Sequence, residues 1–476
     1  MKKSYISLVI FVILSFTLAG FSQAESPAEK RARELVHVLS AGSRAEFGKY
    51  VEANFGGQMI KLTMERHLNF FSSVYEGSHG YEIAGVQDAT QPNQVTLLVK
   101  NKLTGEWDAL LVSVEAEAPN KIVGIGFRPP KPPARDAKKL SEKEAARELE
   151  AFVKKLAAAD VFSGAVLLAK DGVVLYKGAF GMANKDFDAP NRVDTKFNLG
   201  SMNKMFTSVA IAQLVEKGKL SFEDPLSKFI PDFPDKESAE KIKIKHLLSH
   251  TAGLGGYFSE KWDQKSRAEF RTVDDMMRQA KEDEKLLFEP GTKWRYSNTG
   301  MLVLGKVIEI VSGQDYFTYV GENIYKPAGM TNTDCYELDK VNRNLAVGYD
   351  KTYTDAGVVF GNNIFMHVMR GGPQGGGYST VDDLLKFERA LRGGKLLGPE
   401  MVKTLTSAKP ELNSPNYGYG FQIDEKTFGH SGGFPGINSN LDMFRDSGWT
   451  AIYMSNYSRG GGPVEQKMRS LVEAAR

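Results

Sequence analysis

The chain has 476 residues, 42% hydrophobic and 25% charged, which places it among ordinary globular proteins and makes it too long for one small domain. Its 61 Lys and Arg face 58 Asp and Glu, a net charge of +3 with no clustered basic stripe, which gives no support to a nucleic-acid partner held through phosphate contacts. One cysteine, Cys335, provides neither an intrachain disulfide nor a thiolate metal site, so a disulfide scaffold and a zinc ribbon are excluded.

Lys2 and Lys3, an apolar run from Tyr5 to Ala19 and the small residues Ser22 and Ala24 predict a secretory signal peptide over residues 1–24, cleaved after Ala24. The run is shorter than the roughly 20 residues that span a bilayer, and no cysteine lies near for lipid attachment, so no stable membrane anchor is expected. Removing it takes away two lysines and no acid and leaves 59 basic against 58 acidic side chains. Residues 25–128 follow as a small α+β domain. A helix is expected over Ala28–Phe55 and a second near Leu62–Phe71, then strands at Tyr81–Val86, Val95–Lys100, Trp107–Glu115 and Lys121–Phe127. Helices followed by a meander give a pattern similar to cystatin-like or NTF2-like domains, of unassigned role. Residues 129–140, opening Pro129-Pro130-Lys131-Pro132-Pro133, read as an extended linker.

The large domain, 141–476, begins with a helix (Glu142–Ala158) and a hairpin of Gly164–Ala169 with Val173–Lys177. It closes with strands near Ser439–Phe444 and Trp449–Ser455 and a terminal helix after Pro463. Strands at both ends with helices and loops between them predict one antiparallel sheet shared by the two ends and a mainly helical lobe in the interior.

The chemistry-bearing stretch is Ser201-Met202-Asn203-Lys204 at the head of an apolar helical pattern. Residues three apart share a helix face, so the Lys204 amine can reach the Ser201 hydroxyl; a lysine whose charge is suppressed by burial can take its proton. The Ser201 backbone N–H is also among the unpaired donors of a helix start. The same spacing recurs at Ser238-Ala239-Glu240-Lys241, but in a charged stretch without an apolar helix behind it, which predicts a solvated surface turn. Tyr296-Ser297-Asn298 adds a phenol able to relay a proton and an amide able to bind a carbonyl. Gly429-His430-Ser431-Gly432-Gly433 reads as a strand that a substrate backbone can approach, one N–H of which can complete an oxyanion hole with that of Ser201.

Together with Phe162-Ser163-Gly164-Ala165-Val166, His246-Leu247-Leu248-Ser249-His250-Thr251-Ala252-Gly253-Leu254 and Gly375-Gly376-Gly377-Tyr378-Ser379-Thr380, these motifs make residues 145–476 resemble the serine β-lactamase and penicillin-binding-protein superfamily, in its class C β-lactamase-like branch. That branch also holds D-alanyl-D-alanine carboxypeptidases, D-amino-acid peptidases and carboxylesterases. The resemblance implies an α/β domain with an antiparallel sheet flanked by helices and no cofactor or metal. It implies Ser201 as acylated nucleophile, Lys204 as base, Tyr296 as proton relay and Asn298 as substrate ligand. His430, Ser431 and Gly432 would line the site, and the N–H groups of Ser201 and Gly433 would form the oxyanion hole. Where many β-lactamases carry a lysine that holds a substrate carboxylate, this chain has His430, a weaker anchor near neutral pH. The expected partner is therefore a small-molecule ester or D-amino-acid peptide, with β-lactams less favoured; the oligomeric state stays open.

Gly429–Gly433 also fits the nucleophile elbow G-x-S-x-G, but there the histidine follows the serine, and all seven histidines precede Ser431. A metallohydrolase lacks H-E-x-x-H at His246 and His250, whose expected role is to order the loop that follows. A penicillin-binding sensor with little turnover is the alternative from another class, and the retention of Ser201, Lys204, Tyr296 and Asn298 together argues for an enzyme.

Overall fold

A computed structural model describes residues 25–128, 130–131, 139–258, 260–280 and 286–475. The leader expected over residues 1–24 and most of the linker expected over 129–140 lie outside them. No helix among the described residues is long and apolar enough to cross a membrane. The chain forms two compact units, one built from residues up to His67 with Tyr81–Asn101 and Glu106–Lys131, the other from Leu68–Gly80, Lys102–Gly105 and Pro132 onward.

In the first unit, the helix expected over Ala28–Phe55 is two helices, Pro27–Ala41 and Arg44–Asn54. Gly42 ends the first in the left-handed region, and the Ser43 hydroxyl caps the second by accepting from Glu46 N, so a glycine-serine pair overrides the apolar periodicity. Leu35, Val36, Leu39 and Phe47 are buried, as are Leu97, Val99, Leu110 and Val112 of a four-stranded antiparallel meander, Tyr81–Gln91, Gln94–Asn101, Trp107–Val114 and Ile122–Arg128.

The second unit is organised by a six-stranded antiparallel sheet in the order Gln422–Ile423, Thr427–Phe434, Ile437–Phe444, Trp449–Ser455, Gly164–Lys170, Val173–Phe180. The first strands of the domain thus pair with the last, Val166 opposite Tyr453, as the sequence leads one to expect. Gly164–Lys170 is buried on both faces. Its alternate residues Val166 and Leu168 join a core with Leu149, Phe152, Trp449 and Met468 from the helices Glu142–Ala158 and Gly462–Ala474 and a neighbouring strand. Ala165, Leu167 and Ala169 point the other way, into the core that holds the helical lobe. At the centre of that lobe the helix Asn203–Glu216 is buried without a break from Asn203 to Leu214, the behaviour of a helix apolar all round.

The second serine-lysine copy differs from its expected surface turn. Lys236–Lys241 is a short helix capped by Asp235, and Ser238 is buried there while its hydroxyl donates to the Asp235 carboxylate. Lys241 faces Glu237 at 2.8 Å with its side chain 43% exposed. Asp235 at the N-cap position explains the helix: it satisfies the first turn that the apolar pattern alone does not support.

Candidate active site

Ser201 sits in a single 3-10 turn, Gly200–Met202, immediately before the buried helix. The turn is held from both sides. Asn198 Oδ1 accepts from Gly200 N at 2.8 Å, Leu199 N donates to Gly377 O at 2.7 Å and Gly376 N donates to Gly200 O at 3.1 Å. On the other side runs the Thr427–Phe434 strand, so close that a Cβ on Gly432 would stand 2.0 Å from Leu199 O. Glycine at 432 is thus required by the approach of two backbones. Ser201 itself is half-buried, at the surface of this packed layer.

One helical step further, Lys204 is fully buried, and its Nζ lies 3.0 Å from Ser201 Oγ and 2.5 Å from the Gln374 carbonyl, to which it donates. The amine stands 4.9 Å from the centre of the Tyr296 ring. No carboxylate among the described residues pairs with it, and burial holds its pKa well below the ordinary lysine value. The Tyr296 phenol lies beside Ser201; burial drives its pKa up, and the neighbouring serine hydroxyl partly offsets the rise. The structure therefore brings three of the sequence-selected groups together: hydroxyl, buried amine and phenol. Asn298 opens the helix Asn298–Ser312 two residues beyond Tyr296, half-buried, with no hydrogen-bond partner for its amide among the described residues.

The Beta-lactamase family model matches residues 149–476, the part of the chain that carries all of these groups. The chain belongs to the Beta-lactamase family. A penicillin-binding protein of Bacillus subtilis (strain 168) is 31% identical over 335 residues, 65% of this chain and 71% of that protein. Esterase EstB of Burkholderia gladioli is 28% identical over 298 residues, 54% of this chain and 74% of that one. Among solved structures, the penicillin binding protein from Bacillus halodurans superposes with a TM-score of 0.59 at 28% identity, covering 66% of this chain and 98% of that one. As a member of the Beta-lactamase family, the protein is a serine hydrolase.

Within this Beta-lactamase-family site, His430 is buried and does not offer a cation. Its Nδ1 lies 2.6 Å from the Ser431 carbonyl and its Nε2 2.9 Å from the Tyr417 hydroxyl. A carbonyl only accepts, so Nδ1 carries the proton, and the neutral ring accepts at Nε2 from Tyr417. Burial, reinforced by the positive charge available to Lys204, pushes the His430 pKa down to about 3. Ser431 is half-buried and its N–H donates to Gln422 Oε1 at 3.0 Å, while Gly433 is exposed, with open space where a Cβ would be. A Cβ on Gly200 would come 3.1 Å from Gly433 N, which places that amide beside the residue preceding Ser201.

Sequence reasoning missed the layer behind these groups. Gln374, whose carbonyl holds Lys204, sits in a glycine-rich run that marks a close backbone approach without saying to what. Tyr417 carries no local signal. His250, buried with φ +60°, accepts from Ser297 N through Nδ1 at 3.3 Å, and its ring lies 4.3 Å from that of Tyr296 and 4.6 Å from that of Tyr417. Its Nε2 is buried with no hydrogen-bond partner among the described residues. The motif at 246–254 leads one to expect histidines that order this loop, but not that His250 packs against the phenol.

Proposed function

We propose that the protein hydrolyses esters, D-amino-acid peptides or amides through an acyl-enzyme at Ser201. The observation that carries this reading is the Lys204 amine, buried without a counter-ion and 3.0 Å from Ser201 Oγ. An amine kept neutral has a lone pair for the serine proton, whereas an ammonium has none. In acylation, Ser201 Oγ attacks the substrate carbonyl as its proton passes to Lys204. The tetrahedral oxyanion is received by the N–H groups of Ser201 and Gly433, and Tyr296 hands a proton to the departing alkoxide or amine as the acyl–oxygen or acyl–nitrogen bond breaks, regaining it from Lys204, which is left neutral again. Water then adds to the Ser201 ester and the acid leaves, returning the proton to the serine. Asn298 presents its amide to the substrate carbonyl or amide group, and His430, Ser431 and Gly432 form the wall along which the substrate backbone lies.

Support for ester and amide substrates comes from kinship with an esterase and with penicillin-binding proteins, and from the neutral His430, which leaves residues 430–434 without a cation to anchor a carboxylate. The experiment is labelling of wild type and Ser201→Ala with a fluorophosphonate or penicillin probe, followed by intact mass and by turnover of p-nitrophenyl esters. One adduct per wild-type chain, none on the variant, and Ser201-dependent turnover are expected. Labelling without turnover would point to a sensor, and absence of both would remove the enzyme mechanism written here.

Export, the division into 25–128, 129–140 and 141–476, and a cystatin-like or NTF2-like character for the small domain complete the proposal. Protein recovered from the periplasm or medium with Glu25 at its N-terminus, and limited proteolysis cutting first within 129–140, are the outcomes that support the first two.

A further inference from the structure

Beyond Gly433 the strand continues to Phe434, whose ring lies 6.4 Å from that of Phe258 and 6.0 Å from that of His367. Phe258 is 52% exposed although it touches Tyr257 and Trp262, at 4.7 and 5.8 Å between ring centres. The strand fixes this wall beside the nucleophile: Phe434 is two residues from Gly432, which packs on the Ser201 turn. Asn363 donates to Pro435 O at 2.8 Å and ties the segment leading to His367 to the end of the strand. Arg267 lies over Trp262, donates to the carbonyls of Trp262 and Lys265, and stands 3.6 Å from Asp263. The wall is thus aromatic and partly open to water, and it begins one residue past the proposed oxyanion donor. Exposed aromatic surface joined to a reactive serine is surface that gains from being covered by an apolar ligand group.

We propose that Phe258 and Phe434 are specificity-determining residues, and that the substrate carries an aromatic or medium-chain alkyl group which seats between them. This assignment rests on the reading of Ser201 as the nucleophile. An acetyl ester reaches the serine but leaves the two rings wet; an octanoyl ester covers them, and the gain is realised in kcat/KM for the longer chain.

The test measures kcat/KM for p-nitrophenyl acetate and p-nitrophenyl octanoate with wild type, Phe258→Ala, Phe434→Ala, Ser201→Ala and Val341→Ala, the last truncating an apolar side chain that is 97% exposed. Wild type is expected to favour octanoate by about tenfold or more, and each Phe variant to reduce that ratio by about tenfold, while Val341→Ala keeps the wild-type ratio. Phe258 is exposed enough that its truncation leaves the core intact, so the assignment is decided even if Phe434→Ala folds poorly. A wild-type ratio near one, or a Phe258 variant that retains the wild-type ratio, overturns it. Hydrolysis that survives Ser201→Ala removes the nucleophile reading, and the assignment with it. Ser201-dependent hydrolysis indifferent to chain length removes the assignment alone.

Discussion

Two places in this chain carry a serine three residues ahead of a lysine, and they could hardly be less alike. At Ser201 the hydroxyl faces the amine, and the amine has been taken out of water with no carboxylate beside it. At Ser238 the hydroxyl is spent on Asp235, and Lys241 stays at the surface, where Glu237 raises its pKa. Spacing is common to both. What separates a reactive pair from an inert one is the apolar helix that buries Lys204, because desolvation favours the neutral amine and a neighbouring carboxylate favours the ammonium.

The contrast is broken or sharpened by substitution. Ser201→Ala should lower kcat/KM for a p-nitrophenyl ester on the order of 10^4-fold, and Ser238→Ala should leave it within about twofold; equal losses would erase the distinction. Lys204→Met should cost kcat about 10^3-fold and yet leave the melting temperature equal or higher, because a lysine whose folded pKa is depressed opposes folding at every pH below its unfolded value. Lys241→Met should change neither turnover nor melting appreciably, since exposed ion pairs contribute at most about 1 kcal/mol. Tyr296→Phe should cost about 10^2-fold in kcat, read in steady state on an ester and an amide, with the amide suffering more because its leaving group needs the proton.

The smallest effect is on pH. His430 is depressed to about 3, and His246 and His367 to about 4, chiefly by burial, from an ordinary 6.5. The unfolded chain takes up protons near 6.5 while the folded one resists until 3–4. Their contribution to stability is therefore complete above 6.5 and is lost as pH falls towards 4. Thermal melts between pH 8 and 4 should show that decline, and ester turnover should show no histidine limb from His430 between pH 5 and 8.

What the sequence disclosed was what is local. Alternation and turn residues revealed the strands at both ends of the large domain, and three-residue spacing paired Ser201 with Lys204, because those signals need only neighbours along the chain. His250 and Tyr417 reach Tyr296 across 46 and 121 residues and Gln374 reaches Lys204 across 170, and no periodicity links them. The two local errors have local causes as well. Gly42-Ser43 breaks a helix that the apolar pattern runs through, and Asp235 starts one where there is no such pattern.

Cys335 is the chain's one thiol, buried, with Sγ accepting from Asn203 Nδ2 at 3.4 Å and its pKa pushed up to about 12 by burial. Asn203 is the residue before Lys204, and its Oδ1 accepts from Gly377 N at 3.0 Å. A thiol that is both hidden and protonated is inert to alkylating reagents, whereas the same thiol in an opened chain is not. The protein thus contains a single-hit chemical clock: the rate at which iodoacetamide marks Cys335 reports how often the ground beneath the nucleophile gives way.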